Sequence, residues 1–115
     1  MDSHNYGKKC EIIAQQYLIK KGYIILETNY KNKVGEIDII AKDGDYIVFV
    51  EVKGRFSRQF GDPLEAIDER KQIKIHNVAT LYLITHKKMN SPCRFDAISV
   101  LGDAEHEIRH IVDAF

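Results

Sequence analysis

Two runs rich in Ile and Val flank Asp43-Gly44, and Asp-Gly between such runs is the strongest short-range signal for an antiparallel hairpin. The pattern predicts strands over about 34–42 and 45–55. Side chains alternate faces along a strand, so Glu36 shares a face with Asp38, and Glu51 with Lys53. A two-residue Asp43-Gly44 turn pairs Lys42 with Asp45, Asp38 with Phe49 and Glu36 with Glu51. All four charged groups then lie on one face, among Ile40, Ile47 and Phe49, and a slip of one residue would separate the acids. Like charges opposite one another are destabilising, so three carboxylates gathered there imply a cation between them.

The remainder of the chain bounds what this hairpin can belong to. Its 115 residues suffice for one core and not for two ordinary domains. Seventeen basic and seventeen acidic residues cancel, so bulk charge does not mark a nucleic-acid binder and local clustering has to supply any such role. Cys10 and Cys93 stand apart with no Cys-x-x-Cys, which argues for reduced thiols rather than zinc or a disulfide framework. No charged and apolar leader and no run near ~18 apolar residues is present; a cytoplasmic protein without a membrane partner is expected. The five histidines show no ligand spacing, and His106 and His110 read as surface residues.

From about Asn5 to Lys21, Cys10, Ile13, Ala14, Tyr17 and Leu18 fall at helical spacing, and Gly22 supplies the stop. Glu11 lies at the border of that stripe, where a solvated edge residue is the ordinary reading. Tyr23 to Tyr30 reads as a first strand ending near Asn29. After Lys53, G-R-F-S-R-Q-F-G interleaves Arg55 and Arg58 with Phe56 and Phe60 and contains no acid. It suits phosphate contact with base stacking, or equally a solvated loop with one buried Phe. Asp62-Pro63-Leu64-Glu65 has the form of a helix start, and Asp68 could start one as well. The main helix is expected over about 69–85, with Ile75, Val78, Ala79 and Tyr82 on its apolar row and Lys71 one turn before Ile75. Arg94 to Leu101 reads as a strand, Gly102-Asp103 as a turn, and 107–112 as an edge strand. The fold class is therefore α/β, a central mixed sheet flanked by helices in the order αβββαββ, with a parallel crossover through the long helix.

Carboxylates brought together in a partly dry place are paired, protonated or metal-bound. Hard oxygen donors suit Mg²⁺ or Mn²⁺, and Mg²⁺ takes one or two carboxylates, keeps waters and completes its shell with phosphate oxygens. Asp38 and Glu51, diagonal neighbours in the expected register, meet that requirement. Lys53, two residues after Glu51, can orient an attacking water and stabilise developing negative charge, as phosphodiester hydrolysis needs. The competing structural reading is a cross-strand salt-bridge ladder.

The blocks G-E-I-D-I-I-A and V-F-V-E-V-K-G-R resemble the bacterial YraN family of uncharacterised proteins. That family is assigned to the restriction-endonuclease-like PD-(D/E)xK superfamily and is similar to archaeal Holliday junction resolvases. The resemblance extends through Glu11, Ala14 and Tyr17-Leu18 in the first helix, Asn29, Phe60-Gly61, Lys71, Ala79, Tyr82-Leu83, Arg94 to Asp96, and Ala114-Phe115. It implies a restriction-endonuclease-like fold, with Asp38 and Glu51 as metal-binding acids and Lys53 as the motif lysine. Glu11 resembles the first-helix glutamate that resolvase-like members add to the metal site. Glu36 belongs to the family's own G-E-I-D signature as a further acid. Two departures stand out: Ile37 where the superfamily has its namesake proline, and Cys10 where a glycine usually precedes the glutamate.

Three readings follow. The first is a Mg²⁺- or Mn²⁺-dependent endonuclease cutting DNA, at branched or otherwise non-duplex structures. Glu11, Asp38 and Glu51 would hold the metal, Lys53 would assist water, and Arg55, Arg58 and Lys71 would contact phosphate. Symmetric cutting of two strands would call for a homodimer, although no seam for one is visible. The second is a nucleic-acid-binding module that does not turn over. The third is a structural domain whose acid face is a salt-bridge network.

Overall fold

Helix α1 (Ser3–Lys20) opens the chain and presents Tyr6, Cys10, Ala14 and Leu18 to one face of a five-stranded sheet. The computed structural model describes residues 3–55, 67–102 and 105–115. After α1 come β1 (Ile24–Lys31), β2 (Glu36–Asp43), β3 (Tyr46–Arg55), α2 (Glu69–Thr85), β4 (Cys93–Leu101) and β5 (Glu107–Ile111). The strands lie side by side in chain order, antiparallel throughout except that β3 and β4 are parallel. The α/β architecture and the order αβββαββ are those expected from the sequence, and they are consistent with a compact restriction-endonuclease-like fold. Among the described residues no helix is long and apolar enough to cross a membrane.

The sheet is covered on both faces, which is why its middle reads as nearly continuous Ile and Val. Ile39, Ala41, Val48, Val50, Ile98 and Val100 pack with α1. Ile40, Ile47, Phe49, Phe95 and Ala97 pack with Ile75, Val78, Ala79, Tyr82 and Leu83 of α2. Helix α2 begins where Asp68 acts as N-cap, its Oδ1 accepting from Lys71 N at 2.8 Å. Phe56 to Ala66 and the Asp103 turn lie outside the described residues, and with them Phe56, Arg58, Phe60 and the Asp62-Pro63-Leu64-Glu65 helix start.

Two close contacts set the depth and height of α1. A Cβ on Gly54 would lie 2.5 Å from Cys10 Sγ and 2.8 Å from Tyr6 Cε2, so β3 can approach the helix only through a glycine there. Tyr6 Oη donates to Arg55 O at 2.9 Å and to Gly102 O at 2.6 Å, tying the start of α1 to the ends of β3 and β4.

The hairpin register differs from the expected one. Asp43 pairs with Tyr46 and Ile40 with Phe49, so Gly44 and Asp45 form the loop and not Asp43 and Gly44. Gly44 has φ +58, and a glycine at the first loop position is what a hairpin turn of the II′ kind requires. Asp43 stays in the ladder, held through Oδ2 by Arg94 Nη1 at 3.1 Å. Each residue meets a partner two positions further on, so faces are conserved while neighbours change. Strand β1 also runs past Asn29 to Lys31; Asn29 takes a positive φ of 50 without ending the strand.

Candidate metal and phosphate site

The β2–β3 ladder ends at Ile39↔Val50, and just beyond it the Asp38 carboxyl comes within electrostatic reach of Glu51. Here β2 leaves the regular pleat: Ile37 packs on the α2 side and Ile39 on the α1 side. The Asp38 carboxylate takes over the lost rung, Oδ2 accepting from Val52 N at 2.8 Å. The acids therefore meet at a fork in the sheet rather than on one flat face. Ile40, not Asp38, faces Phe49. Glu36 lies beyond the ladder, its side chain 65% exposed and 3.7 Å from Lys31 Nζ, so it does not face Glu51.

Glu51 is buried and its Oε1 is 2.8 Å from Lys71 Nζ and 3.9 Å from Lys53 Nζ. Lys71 reaches it from the first turn of α2, on the apolar row that the sequence placed one turn before Ile75. Burial, then the charge of Glu51, pushes the Asp38 carboxyl up to about 7, with Glu11 adding in the same sense and the Val52 N–H and Lys71 opposing. Burial and the adjacent Lys71 hold the Lys53 amine below its ordinary value. Burial acts most strongly on Lys71, lowering it as well, but its hydrogen bonds to Glu51 and Lys53 and the charges of Glu51 and Asp38 together outweigh this and raise it.

Glu11, at the edge of the buried stripe of α1, lines an open recess of about 590 Å³ together with Gly7, Lys8, Asn29, Lys31, Glu36 and Asp38. A second recess of about 460 Å³ shares Lys31 and Glu36 and continues along Asn32, Gly35, Lys71, Lys74 and Ile75. Three cations in these walls, Lys8, Lys31 and Lys74, were missed from sequence. The signal available was helical spacing: Lys8 precedes Glu11 by three residues and Lys74 follows Lys71 by three. Arg55 ends β3, with its backbone oxygen engaged by Tyr6.

Among the described residues no three Asp, Glu, His or Cys side chains stand close enough to hold one ion together. The donor chemistry still fits a hard divalent cation. Asp38 and Glu51 offer two carboxylates at a partly dry fork, their negative charge exceeds what the site relieves at Asp38, and Mg²⁺ needs only one or two such ligands.

A family model described as uncharacterised protein family UPF0102 matches residues 10–100. The chain belongs to this family. The UPF0102 match covers Glu11, Asp38, Glu51, Lys53 and Lys71, and it agrees with the YraN resemblance. A UPF0102 protein of Clostridioides difficile is 47% identical over 115 residues, covering 100% of both chains. One of Caldanaerobacter subterraneus is 48% identical over 113 residues, covering 95% of this chain and 93% of its own. One of Clostridium kluyveri is 43% identical over 112 residues, covering 95% and 92%.

A second polar cluster lies within the sheet, where sequence reasoning saw only a pattern match. Asp96 is fully buried and accepts from Arg94 Nε at 2.9 Å, Arg94 Nη2 at 3.0 Å and Asp113 N at 3.0 Å. His110 Nε2 lies 2.7 Å from Asp96 Oδ2, and His110 Nδ1 lies 3.2 Å from Tyr17 Oη. The His110 side chain is only 3% exposed, so it is no surface residue. It lies across from Ile98 on β5, and the tertiary fold alone brings it to Asp96.

Proposed function

We propose that this chain is a Mg²⁺- or Mn²⁺-dependent endonuclease of the cytoplasm that hydrolyses DNA phosphodiester bonds, at branched or otherwise non-duplex DNA. The observation that carries the reading is the fork at Asp38, which sets two carboxylates against each other beside Lys53 with the Asp38 carboxyl pushed up to about 7. Asp38 and Glu51 would hold the ion, while Glu11 lines the same recess from α1 without standing close enough to complete a three-carboxylate set. When bound, such an ion neutralises phosphate charge and favours attack by water. Lys53 would orient that water and stabilise charge on the phosphate oxygens. Lys8, Lys31 and Lys74 line the recesses on either side and would carry phosphate contacts, alongside Arg55, Arg58 and Lys71. Glu36, paired with Lys31, would act as an accessory acid at the recess wall.

A second reading is a nucleic-acid-binding module without turnover. It is favoured by the ion pair between Lys71 and Glu51 at 2.8 Å, which already supplies one carboxylate with a cation. Fold alone does not choose between the two.

Incubating the protein with linear, flapped and four-way-junction DNA, with and without Mg²⁺ or Mn²⁺, separates them. Cleavage that requires metal and is lost in Asp38→Asn and Lys53→Ala supports the nuclease. Binding without cleavage supports the module, and neither would leave a salt-bridge network. Symmetric cutting of both strands would require a second copy, which light scattering on the protein–DNA mixture measures directly.

A further inference from the structure

Lys71 is in an unfavourable place for a lysine. It lies in the first turn of α2, where the helix dipole is positive and cations are disfavoured. Its backbone N–H is pinned by the Asp68 N-cap, and a lysine's four-carbon stem has rotatable bonds that can re-aim the ammonium from that fixed base. Its ammonium is held by Glu51: Lys71 Nζ is 2.8 Å from Oε1, more than an ångström closer than Lys53 Nζ at 3.9 Å. The same stem forms part of the wall of the open recess that holds Lys31 and Lys74.

We propose that Lys71 is a tethered counter-ion of Glu51, which a divalent cation must displace to bind, and which then turns into the neighbouring recess. This rests on the metal-site reading above. The ammonium and the ion compete for one buried carboxylate, because a single oxygen cannot serve both at full strength and the like charges repel. Lys71 therefore stabilises the metal-free protein and weakens metal affinity. Once displaced, its charge joins Lys31 and Lys74, where a phosphate would meet it. Binding of the metal and of an anionic ligand thereby reinforce each other.

Titration calorimetry with Mn²⁺ alone, without DNA, tests the competition. Lys71→Met should bind Mn²⁺ roughly tenfold more tightly than the parent protein, and its metal-free melting temperature should be lower. Saturating Mn²⁺ should erase that difference in melting temperature. Lys71→Arg, which keeps the charge, should retain the weaker affinity, and Lys71→Gln provides a second neutral variant should the Met form fold poorly. If the parent binds Mn²⁺ and the neutral variants bind it equally or less tightly, the exchange is overturned while the metal site stands. If no variant and no parent protein binds Mn²⁺, the metal-site reading fails and this inference with it.

Discussion

At the scale of the residue, half-buried Asp38 and buried Asp96 have opposite effects. Asp38 is crowded by burial and by Glu51, so its carboxyl is pushed up to about 7. A group whose folded-state value is raised contributes stability at low pH that disappears as pH rises through that value. Metal-free protein should thus lose stability progressively from the ordinary value of 3.8 up to about 7 and stay weakened above that. Asp38→Asn keeps an oxygen for Val52 N–H and removes the charge; it should raise metal-free stability at pH 8 by about 1–3 kcal/mol. The gain should shrink at pH 5, where the parent carboxyl is protonated, and paired thermal melts at the two pH values measure it. Asp96 runs the other way. Burial works to raise it, but the hydrogen bonds from His110, Arg94 and Asp113 outweigh that and hold it below its ordinary value. Its stabilising contribution is complete above the ordinary value of 3.8 and is lost as pH falls from there towards the folded-state value. Asp96→Asn leaves the largely buried Arg94 without its closest anion and should cost about 3–5 kcal/mol at pH 7. Denaturant titrations should show that difference narrowing in acid.

At the scale of the element, α1 places Glu11 through its contact with Gly54. Gly54→Ala sets a methyl 2.5 Å from Cys10 Sγ and should cost about 1–3 kcal/mol by overpacking. Adding Cys10→Ala removes the sulfur and should recover part of that loss, the remainder coming from Tyr6 Cε2 at 2.8 Å. A denaturation double-mutant cycle reads the coupling; independent, additive losses would mean the contact does not set the helix position. Helix α2 was legible in advance to its ends. Its apolar row, the Asp68 cap and the stop near Thr85 are all local signals, and Lys71 could be placed on that apolar row, one turn before Ile75, by periodicity alone. The partner Lys71 would choose could not be, since that depends on where the parallel crossover lays α2 over β3.

At the scale of the molecule, β3 is paired on one side with β2 and on the other with β4, while β1 and β5 are edges. Hydrogen exchange should find the amides of Ile47 to Val52 and Phe95 to Val100 slowest, and those of β1 and β5 faster. Within β5, His110 should be the most protected, because Asp96 fastens its side chain. The sequence by itself determined the element order, both amphipathic helices and the sharing of one side by Glu51 and Lys53, because hydrophobic period, caps and strand alternation are local properties of the chain. Only the tertiary structure decided the rest. The turn at Gly44-Asp45 moved each partner two positions along β3, the break in β2 brought Asp38 within reach of Glu51, Arg94 kept Asp43 in the ladder, and β5 brought His110 to Asp96. Each of those outcomes is a choice between partners distant in the chain, made by burial, close packing and the need to satisfy buried charge, and no local pattern carries it.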